Sequence, residues 1–158
     1  MTSEALGSLS EYRDGIHRLL PLADFAFDIF DPDLVSCGLE TSDSISRLTE
    51  QFNAHRHLAM RIVVHDPGYI EQHCPRLLTL CRLRSEQIHI RVSALHHRNW
   101  QQPFALVDGR HLLTRFHVDS PRGKLCLDDT ALTAQYLAQF ETLFQASTPG
   151  PNGAFLGI

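Results

Sequence analysis

Apolar residues recur every three or four positions in several stretches of the chain, and this spacing predicts amphipathic helices. The stretches are residues 6–20, 45–52, 77–83 and 132–144. Pro21 ends the first, because a proline cannot continue the hydrogen-bond ladder of a helix. Thr41 or Ser42 is placed to cap the second, and Asp128 or Asp129 to cap the last.

Shorter apolar runs predict β-strands at residues 25–30, 60–64, 88–92, 104–107 and 112–116. Met60–Val64 is typical of a strand buried on both faces, whereas Ile88–Val92 alternates apolar with polar residues. A helix lies between these two strands, which predicts a parallel strand–helix–strand unit with a right-handed crossover. Asp108-Gly109 separates the last two strands and predicts a tight hairpin. The pattern therefore predicts an α/β fold, a mixed β-sheet flanked by helices.

The length of 158 residues is that of a single domain. Within it we predict an N-terminal helix at 1–23, an α/β domain at 24–146 and a tail at 147–158. The tail holds two Pro and three Gly and is predicted to be flexible.

Charge is unevenly distributed along the chain. Residues 1–52 contain 3 Arg and 10 acidic residues, whereas residues 53–100 contain 7 Arg, 3 acidic residues and seven of the ten histidines. The net charge of −4 argues against general nucleic-acid binding. The basic middle third is expected to face the acidic N-terminal third or solvent, and the alternative is an anion-binding surface.

The N-terminus lacks the basic and apolar regions of a secretory signal, and no apolar run approaches the roughly 20 residues of a membrane span. The four cysteines form no Cys-x2-Cys pair, so a structural zinc site is not expected. We therefore expect a cytoplasmic protein with reduced thiols and no association with membranes.

The order of these elements resembles one half of the phospholipase D superfamily. In that superfamily a strand unit like Met60–Val64 and Ile88–Val92 precedes a strand that carries the motif His-x-Lys-x4-Asp. A hairpin partner and a C-terminal helix like Leu132–Phe144 follow. The chain is also similar to short uncharacterised proteobacterial proteins that have a strand ending in His-Asp-Pro, here Arg61–Pro67, and a later strand ending in Asp, here Phe104–Asp108. The resemblance covers roughly residues 24–146 and implies a phospholipase D-like half-domain.

The half-domain is degenerate, because the residues that the family motif requires are missing. Counting back from Asp108, the His position is Gln101 and the Lys position is Pro103. A Gln amide is not a nucleophile at neutral pH, and a proline cannot stabilise phosphate oxygens. The family's later Gly-Ser-x-Asn segment falls on Arg115-Phe116-His117-Val118. We therefore predict a pseudoenzyme with no catalytic residue, in which Asp108 serves the geometry of the hairpin turn.

Histidine and arginine residues follow the two predicted parallel strands. Because the carboxyl ends of parallel strands meet at one side of a sheet, these loops are the expected place for a ligand. The imidazoles and guanidinium groups suit a phosphate, and Trp100 offers a stacking surface for a base. The candidate ligand-binding residues are His65, Asp66, His96, His97, Arg98, Trp100, Asp108 and Arg115. The alternatives are that His65-Asp66-Pro67 is only a turn and that Trp100 caps the core.

A metal site is not expected, and neither is a cofactor. The His and Cys residues between 55 and 81 match no compact ligand set. Cys74 and Cys81 lie seven residues apart on a predicted helix, which is the spacing of a buried stripe.

Two functions from different classes remain. We favour a non-catalytic interaction or regulatory module on the degenerate phospholipase D-like fold. The alternative is an enzyme acting on phosphodiesters or nucleotides, or a nucleic-acid-binding protein, that uses the His/Arg-rich loops. The expected partners are a second copy of the chain, by analogy with half-domains that pair, or an unknown protein. A nucleic acid or phosphate ligand is a less favoured expectation.

Overall fold

Within residues 1–152, which this computed structural model describes, eight strands form one mixed sheet in the order β1-β7-β6-β5-β2-β3-β4-β8. The strands are β1 (Thr2–Leu6), β2 (Ala26–Phe30), β3 (Ala59–Val64), β4 (Ile88–Val92), β5 (Phe104–Val107), β6 (His111–Arg115), β7 (Gly123–Leu127) and β8 (Thr148–Pro149). The helices are α1 (Leu9–Leu19), α2 (Ser42–Ala54), α3 (Gly68–His73), α4 (Pro75–Leu83) and α5 (Thr130–Ala146). The predicted α/β fold with a mixed sheet flanked by helices is confirmed.

The parallel unit occupies one half of the sheet, next to the edge strand β8. β2 pairs in parallel with β3, and β3 with β4, so the predicted strand–helix–strand arrangement is confirmed. Of the two predicted caps of α2, Thr41 rather than Ser42 fills the role, and its hydroxyl accepts a hydrogen bond from the Ser44 backbone amide at 3.1 Å. Asp129 caps α5 in the same way, through the Leu132 amide at 3.1 Å. The short helix α3 was not predicted, because it is a single turn or two without a repeating apolar stripe.

The other half of the sheet is antiparallel. β5 and β6 form the predicted hairpin, in which Asp108 and Gly109 adopt positive φ angles of 54° and 67°. β7 pairs with β6 and was not predicted. Its first residue, Gly123, lies so close to β6 that an added Cβ would stand 2.0 Å from the Thr114 carbonyl oxygen.

The first residues form a strand where the apolar spacing predicted the start of a helix. β1 pairs antiparallel with β7, and α1 begins only at Leu9, where the Ser8 hydroxyl accepts a hydrogen bond from the Glu11 amide at 3.1 Å. Extending the helix to Leu6 was therefore wrong. In this outer strand only Leu6 is buried, so the sequence carries no alternating pattern that would indicate a strand.

The sheet separates two layers of apolar side chains. Helices α1, α2 and α4 cover one face, where the larger core includes Tyr12, Leu48 and Leu77. Helix α5 packs on the other face through Phe140 and Leu143, as its stripe predicts. All four cysteines are free and buried.

The sheet draws on residues at both sides of the predicted domain at 24–146, since β1 precedes it and β8 follows it. Thr148 and Pro149 pair with Val92 and Arg91 of β4. The remainder of the predicted flexible tail, from residue 153, lies outside the described residues.

Candidate functional site

The three parallel strands end on one side of the sheet, called here the carboxyl end, at Phe30, Val64 and Val92. Because β5 runs antiparallel to β2, with Phe104 opposite Phe30, the start of β5 lies at this same end. β6 returns to it at Arg115. The carboxyl end therefore gathers the loops in which the sequence placed most of the candidate residues.

His65 is a buried anchor at the centre of this end. Its Nδ1 lies 2.5 Å from the Ser93 hydroxyl, and its Nε2 lies 2.5 Å from the Trp100 carbonyl oxygen. A carbonyl only accepts, so Nε2 carries the proton and donates, and in the neutral ring Nδ1 accepts from Ser93. Phe30 contacts the ring edge-on at 5.1 Å between centroids. Both nitrogens thus hold the loop after β4, and neither is open to a ligand.

Asp66 forms a turn rather than a ligand contact. Its carboxylate accepts a hydrogen bond from the Gly68 amide at 2.8 Å, and its own amide donates to the Pro32 carbonyl at 2.9 Å. This is the arrangement of an Asx turn, which was the structural alternative for this segment.

His96, His97 and Trp100 form an aromatic stack beside His65. The ring centroids are 4.1 Å apart for His96 and His97, and 4.8 Å apart for His97 and Trp100. Burial, with the neighbouring His96 and His65, lowers the pKa of His97. The fold therefore disfavours the charged form of His97. The Arg98 side chain is exposed. The Arg98 backbone carbonyl accepts a hydrogen bond from the side-chain amide of Gln101 at 2.6 Å.

Arg115 is buried and bound to its own loops. One nitrogen, Nη1, donates to the Val118 carbonyl at 3.0 Å and the Ser120 carbonyl at 3.3 Å, and Nη2 donates to the Ser36 hydroxyl at 3.0 Å. The guanidinium also lies 5.4 Å from the centre of the Tyr12 ring. Arg115 therefore fastens the loop after β6 to the loop after β2.

Asp31 completes this buried network and was missed by the sequence analysis. Its carboxylate accepts from the Asp33 and Leu34 amides and, at 2.9 Å, from the Ser36 hydroxyl. Burial raises the pKa of Asp31, against the hydrogen bonds that lower it. Ser36 thus donates to Asp31 and accepts from Arg115. The position of Asp31, directly after a parallel strand, was a signal that could have found it.

The positions of the missing family motif carry no charge. Gln101 is exposed, and Pro103 is buried with its carbonyl accepting from the Thr114 hydroxyl at 2.8 Å. The side-chain amide of Gln102 donates to the Thr114 and Tyr136 hydroxyls at 3.0 and 3.1 Å. This part of the carboxyl end is closed by neutral hydrogen bonds.

Asp108 lies at the opposite side of the sheet, called here the amino end. Its carboxylate accepts from the backbone amides of Asp24 and Phe25, both at 3.0 Å, and of Ala26 at 2.9 Å. The structure brings the other seven candidate residues to the carboxyl end, but it separates Asp108 from them by the length of a strand. The carboxylate at this hairpin ties the start of β2 to the turn.

Two further features of the described residues bear on the functional classes. Across residues 1–152, His, Cys, Asp and Glu side chains do not gather in groups of three that could hold a metal ion. No helix in this part of the chain is both long and apolar enough to cross a membrane.

Comparison with known proteins places the fold. A family model described as a domain of unknown function (DUF7931) matches residues 8–153. Among curated proteins, no sequence match was found.

Three solved structures share the fold. The phospholipase D family member Nuc from Salmonella typhimurium superposes with a TM-score of 0.66 at 12% identity, over 94% of this chain and 99% of that one. TrmBL2, an archaeal chromatin protein with a novel mode of DNA binding, gives 0.71 at 8% identity, over 95% of this chain and 54% of that one. Phosphatidylserine synthase from Haemophilus influenzae gives 0.63 at 15% identity, over 99% of this chain and 41% of that one.

These likenesses confirm the phospholipase D-like fold, and at such identities they concern the fold alone. They do not bear on the predicted similarity to short proteobacterial proteins, which stays a prediction.

Proposed function

The chain belongs to the family described as a domain of unknown function (DUF7931), and from this premise we propose that it is a non-catalytic interaction module on a phospholipase D-like fold. One observation carries the proposal. At the carboxyl end of the sheet two of the candidate side chains are bound within the protein: His65 contacts Ser93 and Trp100, and Arg115 contacts Ser36. A nucleophile or a phosphate clamp needs groups that face the substrate, and both His65 nitrogens and both Arg115 Nη atoms are engaged by the protein itself.

The motif positions support the same conclusion. Gln101 and Pro103 stand where the resemblance requires His and Lys, and Asp108 is engaged by three backbone amides at the other end of the sheet. The competing proposal is a phosphodiester-acting enzyme that uses His96 and His97, and the likeness to Nuc favours it at the level of fold only.

Nucleic-acid binding is a further competitor because TrmBL2, which shares the fold, is a DNA-binding chromatin protein. The net charge of −4 and the 10 acidic residues of the first 52 oppose it, since an acidic protein repels the phosphates of a nucleic acid.

The interaction that we propose is pairing with a second copy through the carboxyl end. Three apolar side chains are exposed in loops there: Leu95 (78%), Phe116 (44%) and Val35 (39%). They follow β4, β6 and β2 respectively, so they lie along the same end of the sheet. A second copy that covers this end would remove their apolar surface from water, which favours association.

The absence of catalysis is tested by incubating the purified protein with bis-p-nitrophenyl phosphate, single-stranded DNA and phosphatidylcholine. We expect all three to remain intact over hours. Hydrolysis that copurifies with the protein and disappears in both His96→Ala and His97→Ala would refute the proposal. Loss of hydrolysis in neither variant would identify a contaminant.

A further inference from the structure

Residues of the basic middle third of the chain, together with residues of α2, line a continuous trough. The trough lies on the face of the sheet that α1, α2 and α4 cover. Three adjoining hollows make it up. The largest, of about 860 Å³, lies at the amino end between the turn after α2 and the turn after α4. Two hollows of about 380 Å³ each continue it between α2 and α4. The largest hollow shares the lining residues Leu83 and Arg84 with one of the two smaller hollows. That hollow shares Ile45, Arg76 and Thr79 with the other smaller one.

The central part of the trough is mainly apolar, whereas the accessible lining of its wide end is mainly polar. Ile45 of α2 and Leu80 and Leu83 of α4 line its central part, and Phe52 and Leu58 back its wide end. Leu83 is 70% exposed, so its side chain is accessible to a partner that lies in the trough.

Arginine side chains line the trough along its length. Among the lining residues within 1–152, three are arginines and one is acidic. Arg76 lies at one end, Arg84 in the middle and Arg56 at the wide end, whereas Glu86 is the one acidic lining residue. Among the described residues, no hydrogen bond or ion pair engages the side chains of Arg76 and Arg56. The acidic residues of α2, Asp43 and Glu50, do not line these three hollows. The free charge of the trough is therefore positive.

The walls of the wide end are held in place. The side-chain amide of Gln87 donates to the backbone carbonyls of His55 at 3.2 Å and Leu58 at 3.1 Å. These hydrogen bonds join the turn after α4 to the turn after α2. Arg84 is oriented by a hydrogen bond to the side-chain oxygen of Asn53. A site with fixed walls loses little conformational entropy on binding.

We infer that this trough binds an acidic segment of a partner protein, anchored by apolar side chains between α2 and α4. Its elongated shape suits a segment of chain better than a compact small molecule. Arg76 and Arg84 are eight residues apart on and after α4, roughly 12 Å along a helix. Two carboxylates at that separation, with a leucine-like residue between them, would meet both guanidinium groups and Leu83. The N-terminus of α4, which has no acidic residue in its first turn, lies at the Arg76 end and adds to its attraction for a carboxylate.

The inference deepens the proposed interaction role but uses a different surface from the carboxyl end. The experiment titrates the full chain with a fluorescein-labelled synthetic peptide of alternating Glu and Leu, monitored by anisotropy. Matched peptides replace Glu by Lys or Leu by Ser. We expect the Glu/Leu peptide to bind and each matched peptide to bind at least about tenfold more weakly.

Variants locate the binding. We expect Arg76→Glu and Leu83→Asp each to weaken the Glu/Leu peptide by about tenfold or more. Arg122→Glu, a charge-matched change in the loop after β6, and Leu95→Asp should leave it unchanged. Since Arg76, Leu83 and Arg122 are exposed and lie outside the proposed dimer surface, the unfolding midpoints of these three variants should agree with the wild type.

Several results would overturn the inference. One is no binding of the Glu/Leu peptide up to about 1 mM. Others are equal binding of the Lys peptide, or no effect of Arg76→Glu and Leu83→Asp. A loss in Leu95→Asp alone would assign the peptide to the carboxyl end, so the two surfaces can fail separately.

Discussion

Replacing Asp108 tests whether the last residue of the family motif serves only the fold. In Asp108→Ala three backbone amides lose their acceptor. The amides of Asp24 and Phe25 are exposed, so water replaces the carboxylate there at a cost of about 1 kcal/mol for both. The Ala26 amide is half-buried, and its loss costs about 1 kcal/mol more. An alanine at φ 54° adds about 1 kcal/mol of backbone strain. The total is about 3 kcal/mol.

Two further substitutions separate these contributions. Asp108→Gly relieves the strain but loses the acceptors, so it should cost about 2 kcal/mol. Asp108→Asn keeps one acceptor oxygen and tolerates the left-handed conformation, so it should cost about 1 kcal/mol. Urea unfolding gives the free energies, with an unchanged slope showing that the unfolded state is the same. Equal stability of Asp108→Ala and the wild type would refute the structural role, as would an order in which Asn is the most destabilising.

Three other substitutions probe the core and the carboxyl end. Phe140→Ala should lower the free energy of unfolding by about 3–5 kcal/mol because the Phe140 side chain of α5 is fully buried against the sheet. An unchanged denaturation midpoint would show that this helix is not packed on the sheet. Arg61→Ala should lower the free energy of unfolding by about 3–5 kcal/mol, because it removes the cation that lies 2.8 Å from the buried Asp28 carboxylate. Recovery of stability in the double variant Arg61→Ala, Asp28→Asn would confirm this cause. The folded state lowers the pKa of His97, so below about pH 6.5 the unfolded chain binds more protons and stability falls as the pH falls. His97→Gln should reduce that slope, and an unchanged slope of stability against pH would contradict the assignment.

The strength of each local pattern explains how much of the fold could be predicted. α5 and β3 were found because each buries a regular or continuous apolar surface, which the sequence records directly. β1 and β7 escaped because β1 has almost no buried residue and β7 is a short strand that starts at Gly123. Their pairing is a contact between distant parts of the chain, which no local pattern records.

The candidate site divides in the same way. The gathering of His65, His97 and Trp100 followed from the rule that parallel strands end together. Whether those rings face a ligand depends on their hydrogen bonds, and these join residues 28 and 35 positions apart. The trough was also beyond the sequence, because it forms between two helices and two turns that meet only in the folded chain.

Together these features assign different tasks to different parts of the sheet. The carboxyl end is stabilised by internal hydrogen bonds and exposes apolar side chains in its loops. The face that α2 and α4 cover carries the positively charged trough. We propose that a phospholipase D-like fold in this form binds partners through these surfaces.

Sedimentation equilibrium tests this account most directly, because it measures self-association through the carboxyl end. At micromolar concentrations we predict a mass near twice the chain mass of 17.9 kDa for the wild type and for Leu83→Asp. Leu95→Asp, which places a carboxylate in the proposed interface, should sediment near 17.9 kDa. A wild-type mass near 17.9 kDa without concentration dependence would contradict the account, and so would dissociation by Leu83→Asp but not by Leu95→Asp.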